Sequence, residues 1–108
     1  MRSLLPFLLS LFLGASVQAQ WWKVQTSGLD TNLRSVSVAQ MPDAKGVPVP
    51  VVWASGSHGV ILKSLDEGKT WQRVRVTNGE ALDFRGIVAF NEKTAYVMSS
   101  GEGEKSRI

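Results

Sequence analysis

Ser64-Leu65-Asp66-Glu67-Gly68-Lys69-Thr70-Trp71 is the stretch on which the reading of this chain turns. Its residue types fit a tight connection between two strands. An aspartate two residues before a glycine can accept hydrogen bonds from the backbone N–H groups of its own turn. Gly68 supplies a positive φ without a Cβ penalty. Thr70 is β-branched and suits a strand that follows. Trp71 carries a large apolar surface and an indole N–H that needs an acceptor when buried. Such a turn stabilises the hairpin that carries it, and its residues have a structural role by this reading.

Outward from the octapeptide, the chain reads as short strands and turns throughout. Strands are predicted near 21–26, 33–39, 51–55, 60–64, 71–76, 84–90, 94–99 and 105–108. β-branched and aromatic residues fill them, and Gly, Asn, Asp and Pro punctuate them. No segment sustains a helical period. Val60-Ile61-Leu62 is apolar at consecutive positions, as in a strand covered on both faces. The segment 42–50 reads as an irregular loop whose prolines keep a central strand from starting before Val51.

The chain also repeats itself. Trp22-Lys23-Val24 is similar to Trp71-Gln72-Arg73-Val74 at an offset of 49. Leu33-Arg34-Ser35-Val36-Ser37-Val38-Ala39 is similar to Phe84-Arg85-Gly86-Ile87-Val88-Ala89-Phe90 at an offset of 51. Val52-Trp53-Ala54-Ser55-Gly56 is similar to Val97-Met98-Ser99-Ser100-Gly101 at an offset of 45. Units of ~40–50 residues with four short strands each are the pattern of propeller blades.

The N-terminus has a different composition. Arg2 is a short basic start, Leu4 to Leu13 is an apolar run, and Val17-Gln18-Ala19 places small residues at a cleavage site. The run falls short of the ~20 residues that span a bilayer. Residues 1–19 therefore read as a secretory signal peptide, with no membrane insertion after cleavage and a periplasmic or extracellular destination. The chain has no cysteine, which excludes disulfides, thiol catalysis, thiolate metal sites and a lipoprotein anchor. Without Arg2 the chain has 11 basic and 9 acidic residues. The signs alternate along the sequence, so nothing argues for nucleic acid or an anionic membrane as a partner.

The octapeptide has the form Ser/Thr-x-Asp-x-Gly-x-Thr-Trp. With the repeat, it resembles the Asp-box, or BNR repeat, of sialidase-like β-propellers. The nearest resemblance is to the photosystem II stability/assembly factor-like proteins, through the Trp-x-x-Val start, the Leu/Phe-Arg-Ser/Gly-Val/Ile strand and the Trp53-Ala54-Ser55-Gly56 turn. It covers nearly all of residues 21–108. It implies an all-β fold of antiparallel four-stranded blades, with units at about 21–70 and 71–108. A closed propeller needs at least four blades, so residues 20–108 are expected to be a partial ring. The turn at Gly101-Glu102-Gly103-Glu104 would lead into a strand at 105–108, with a second Asp-box due just beyond. Trp21-Trp22-Lys23-Val24 would be an outermost strand completing the last blade. The expected partners are the remaining blades or a protein or peptide.

The candidate chemistry is sparse. In the resemblance, Ser64, Asp66, Gly68, Thr70 and Trp71 are structural Asp-box residues. Arg34 and Arg85 match between units and would face the propeller channel, as a cationic funnel for carboxylates. The other reading pairs each arginine with an acid such as Asp83 or Asp30. Phe84-Arg85-Gly86-Ile87 is similar to the Phe-Arg-Ile-Pro stretch of sialidases, but departs from it at Gly86-Ile87. Tyr96, the one tyrosine, has no evident glutamate partner, and the acids fall in turns where a paired-carboxylate glycosidase site is not expected. His58, the one histidine, lacks companions for a metal centre. The loop around Asp66 is short of oxygen ligands for calcium. Trp21-Trp22 reads as a buried edge strand more readily than as a sugar-stacking platform. The expectation is a binding or scaffold module with no catalysis of its own, no cofactor and no metal. The alternative is a piece of a sialidase-like or other glycoside hydrolase.

Overall fold

Among the described residues, six strands form between turns that the sequence punctuates with Asp, Asn and Gly. The structure is a computed structural model describing residues 22–108. The leader reading over 1–19 and Trp21 lie outside the described residues. β1 (Leu33–Pro42), β2 (Pro48–Gly56), β3 (Ile61–Ser64) and β4 (Gln72–Val74) form an antiparallel sheet in that order. β5 (Asp83–Ala89) and β6 (Ala95–Ser100) form a second, two-stranded sheet. The fold is all-β: one four-stranded blade and the first two strands of another, an incomplete propeller-like arrangement without ring closure.

Turn chemistry fixes the hairpins. Asp43 Oδ1 accepts from the N–H groups of Lys45 at 2.8 Å and Val47 at 2.9 Å, closing the β1–β2 connection. His58 and Gly59 both have positive φ, 59° and 69°, in the two-residue β2–β3 turn. Gly59 is also a close approach. Its N–H donates to the Leu82 carbonyl at 2.8 Å, and a Cβ there would run into the Gly79 carbonyl. The linker from the first sheet to the second is thereby held against the β2–β3 turn.

Each sheet turns one face to the other sheet. The covered face of the first sheet carries Ser37, Ala39, Val51, Trp53 and Ile61. Onto it pack Leu82, Phe84 and Ile87, with Ala89, Ala95 and Val97 alongside. Trp53 is 5% exposed, donates its indole N–H to the Asn91 carbonyl at 3.0 Å, and carries the Lys63 ammonium over its ring. Ser37 is small enough to let β5 approach, and its hydroxyl accepts from the Ala89 N–H at 2.9 Å. The opposite face of the first sheet buries Ala54, Val60 and Leu62 beside Trp71. It leaves Val36 and Val38 exposed.

Several boundaries differ from the sequence reading. Residues 22–26 form no strand, and Trp22 is 95% exposed. Apolar side chains alone do not make a strand where no ladder partner stands opposite. β2 starts at Pro48, inside the segment read as a loop. The prolines are tolerated because β3 pairs only with Val52 to Ser55, so the Pro48–Val51 portion has a neighbour on one side only. The strand expected over 105–108 is replaced by a 3-10 turn at Gly103–Lys105 and irregular backbone. One ladder-type bond survives there: Ser99 N–H donates to the Arg107 carbonyl at 2.8 Å, and Arg107 N–H to Ser99 Oγ at 3.0 Å.

The strand registers also correct the repeat. β1 pairs Val36 with Ala54 and Ser37 with Trp53, whereas β5 pairs Ile87 with Val97 and Val88 with Tyr96. The second strands therefore correspond at an offset of 43, two fewer than the sequence similarity gave. An even slip preserves which face each side chain takes, so Trp53 corresponds to Tyr96 rather than to Met98. The Ser99–Arg107 bond then matches the Gly56–Val60 bond of the first unit, and Ile108 takes the place of Ile61.

Trp53→Ala should lower unfolding stability by about 3–5 kcal/mol, the usual range for truncating a buried tryptophan. Urea titration followed by circular dichroism reads this. A midpoint unchanged from the parent would mean that the sheets do not depend on this side chain.

Candidate functional site

The octapeptide lies between β3 and β4 and satisfies itself. Ser64 is 1% exposed, and its hydroxyl sits at the centre. Its Oγ accepts the Gly68 N–H at 2.8 Å and donates to Asp66 Oδ1 at 2.8 Å. Asp66 Oδ1 also accepts the Thr70 N–H at 2.8 Å, and Oδ2 accepts the Thr70 hydroxyl at 2.5 Å. These bonds, first from the Thr70 hydroxyl and then from its N–H, lower the Asp66 pKa from 3.8 to about 2. Gly68 has a φ of 87°, and Glu67 before it has a φ of 62°. The left-handed Glu67 is invisible in the residue types, since a glutamate gains nothing there. Gln25 donates to the Glu67 carbonyl at 3.3 Å, which ties the N-terminal segment to the turn.

Trp71 departs from expectation. It packs on Ala54, Val60 and Leu62, but its buried indole nitrogen has no acceptor among the described residues. Beside it, Leu33, Arg34, Val36 and Ala54 line an open apolar groove of about 400 Å³.

The two matched arginines come together on one acid. Arg34 Nε donates to Asp83 Oδ1 at 2.7 Å, and Arg85 Nε donates to Asp83 Oδ2 at 2.9 Å. Each arginine has an acid partner, and it is the same carboxylate. The backbone explains the convergence. The β1–β2 register slips between Leu33 and Ser35, and the β5–β6 register slips between Phe84 and Gly86. Arg34 and Arg85 are thus the extra residues of two equivalent β-bulges, which bend the strand and re-aim the side chain. Partial burial pushes the Asp83 carboxyl up, but the hydrogen bonds and charges of Arg85 and Arg34 outweigh it and hold the group below the ordinary range. Each bond runs through Nε. The terminal guanidinium nitrogens have no hydrogen-bond partner among the described residues, and the cluster carries a net positive charge.

The other candidates are dispersed. Asp30 makes no ion pair among the described residues. His58 lies in its hairpin turn beside Leu29, Asp30 and Arg73. Tyr96 is 62% exposed and meets Phe90 edge to face at 5.1 Å. It makes no hydrogen bond to a carboxylate among the described residues. Glu92 offers only its backbone carbonyl, which Lys63 Nζ reaches at 2.8 Å. Among the described residues, no group of three or more His, Cys, Asp or Glu is placed to hold a metal ion, and no helix is long and apolar enough to cross a membrane.

No protein-family model, curated protein or solved structure matches this chain.

Two outcomes follow from the turn. Ser64→Ala removes the acceptor of the buried Gly68 N–H and should cost about 1–3 kcal/mol, read as a shift in the denaturation midpoint. Asp66 has a folded pKa of about 2, below its ordinary 3.8. Its stabilisation is therefore present above pH 3.8 and lost as the pH falls from 3.8 towards about 2. The melting temperature of Asp66→Asn should fall less steeply than that of the parent across this window. Parallel curves would mean that the carboxylate does not hold the turn.

Proposed function

We propose that this protein is an exported binding or scaffold module of a propeller-like kind, without catalysis of its own, that engages carboxylate-bearing segments at Arg34, Asp83 and Arg85. One observation carries the reading: two guanidinium groups from equivalent bulges share a single carboxylate. A single acid satisfies only part of the donor capacity of two arginines, each with five N–H groups in a planar fork suited to carboxylate. The Arg85 side chain is 53% exposed and Arg34 36%, so an incoming carboxylate reaches them without unfolding the sheets. Charge-assisted, bidentate geometry supplies orientation as well as attraction. Asp83 sets the distance between the two forks and keeps both side chains ordered before a ligand arrives.

The export reading is supported by the leader-like composition of residues 1–19, and the scaffold reading by the sheet faces left open on both sides of the pair. The octapeptide contributes by fixing the rim of the first blade, through bonds that stay within the turn.

A synthetic peptide rich in glutamate and aspartate is the probe, with a lysine-rich peptide of equal length as the control. Calorimetry should show binding of the acidic peptide alone, weakening about tenfold or more as ionic strength rises from low to high salt. The Arg34→Ala/Arg85→Ala variant should lose that binding while keeping its circular dichroism spectrum. Equal affinity in parent and double variant would remove the arginine pair from the site.

A further inference from the structure

Asn78-Gly79 is the one asparagine–glycine pair in the chain, and it lies in the linker between the two sheets. An asparagine before a glycine carries a reaction of its own. The main-chain nitrogen of the glycine attacks the side-chain carbonyl carbon of the asparagine, and a residue without a Cβ leaves that nitrogen unshielded. Here a bond forms between Gly79 N and Asn78 Cγ, the Cγ–Nδ2 bond breaks, and ammonia leaves with the proton of the Gly79 N–H. Water then opens the five-membered imide at either of its carbonyls. One product has an aspartate at 78. The other is an isoaspartyl linkage, in which the main chain runs through the former side chain and gains one carbon. The reaction consumes water and needs only a base to take the nitrogen's proton.

The fold decides when this happens, because it holds the nucleophile. Val76 to Gly79 form a tight turn in which the Gly79 N–H donates to the Val76 carbonyl at 3.0 Å. Asn78 takes the left-handed conformation of this turn, with a φ of 58°, which asparagine tolerates. Asn78 is exposed and open to water, whereas Gly79 is buried, which keeps base from its nitrogen. The Gly79 carbonyl accepts the Leu82 N–H at 2.9 Å, and the Leu82 carbonyl accepts the Gly59 N–H at 2.8 Å. A Cβ at Gly59 would run into the Gly79 carbonyl. The attacking nitrogen therefore belongs to the segment that clasps the linker to the β2–β3 turn. Leu82 carries that clasp into the core, beside Phe84 and Trp53.

We propose that Asn78–Gly79 is a modification site controlled by this clasp: closed while the linker lies on the β2–β3 turn, open when it lifts. The requirements are those of amide hydrogen exchange at Gly79, namely loss of its hydrogen bond and access of base. The rate therefore follows the population of the lifted state. The isoaspartyl product then keeps the clasp from re-forming. The added carbon displaces the Gly79 carbonyl, and with it the Leu82 bonds, at a contact with Gly59 too close to absorb the shift. The modification is thus one-way, and it loosens the second sheet from the first.

The test is peptide mapping by mass spectrometry on the purified protein in mildly alkaline buffer, with isoaspartate detected by enzymatic methylation. The folded parent should convert Asn78 about tenfold or more slowly than the same protein in strong urea, in proportion to how rarely the linker lifts. Equal rates in the two solutions overturn the proposal, as does conversion in urea confined to Asn32 and Asn91. Gly59→Ala should speed conversion in buffer while keeping the parent circular dichroism spectrum; a folded variant that converts at the parent's rate overturns the proposal. Should that variant fail to fold, the parent is taken to urea below its unfolding transition. Conversion of Asn78 and hydrogen exchange at Gly79 should then accelerate by the same factor, and a divergence between them overturns the proposal. Asn78→Asp supplies the charge of the aspartyl product on an ordinary main chain and should melt with the parent, whereas the isolated isoaspartyl form should melt lower. Equal melting of the two overturns the loss of the clasp.

Discussion

The structure depends on the burial of Trp53 between two sheets. A tryptophan removes ~150–250 Å² from water, which at ~25 cal/mol per Å² is about 4–6 kcal/mol as an upper bound. Its ring shares one core with Leu82, Phe84 and Ile87 of the second unit. The indole requires an acceptor at the far side of the junction, and the β5–β6 turn supplies it through the Asn91 carbonyl. One face of the ring is covered by the Lys63 ammonium, 5.3 Å from its centroid. For this arrangement to exist, the linker after β4 must deliver β5 to the correct side. The absence of a Cβ at Gly59 permits that close approach, and Leu82 and Phe84 then fill the space beside the indole.

The two units share a backbone plan and differ in what the plan is used for. Both carry a bulge at the matching arginine, and both strand pairs run in the same register. The first unit adds two strands and the octapeptide, so its second face gains Trp71 as a partial cover. In the second unit the positions equivalent to Trp53, Ser55 and Ala39 carry Tyr96, Met98 and Phe90, large side chains that are more than half exposed. The arginines show the same divergence. Asp83 precedes the second bulge, and Asn32 stands at the equivalent position of the first. One acid therefore serves two cations, and the repeat becomes asymmetric at the place where its charged groups meet.

The octapeptide was the most legible part of the chain, because its bonds close within a few residues and need no distant partner. Asp66 accepts from its own turn, and Gly68 takes a positive φ, as the residue types require. The all-β class was legible for a related reason: strand propensity and turn residues alternate at short range. Strand ends were less so. Residues 22–26 have the composition of a strand and no neighbour to pair with among the described residues, while Pro48 and Pro50 sit in a strand because the missing neighbour makes their lost N–H groups harmless. Trp71 has an indole left without an acceptor among the described residues, where it packs on Ala54, Val60 and Leu62.

The sequence by itself determined the strand-and-turn class, the chemistry of the 64–71 turn and the existence of two related units. These follow from conformational preferences and hydrogen bonds within a few residues. Tertiary structure alone decided the offset of the second strands, the convergence of Arg34 and Arg85 on Asp83, and which apolar faces are covered. A two-residue slip leaves every side chain on the same face, so local pattern cannot distinguish the registers. A shared carboxylate needs two bulges 51 residues apart to face one another, and only the packing of β5 across β1 brings them there.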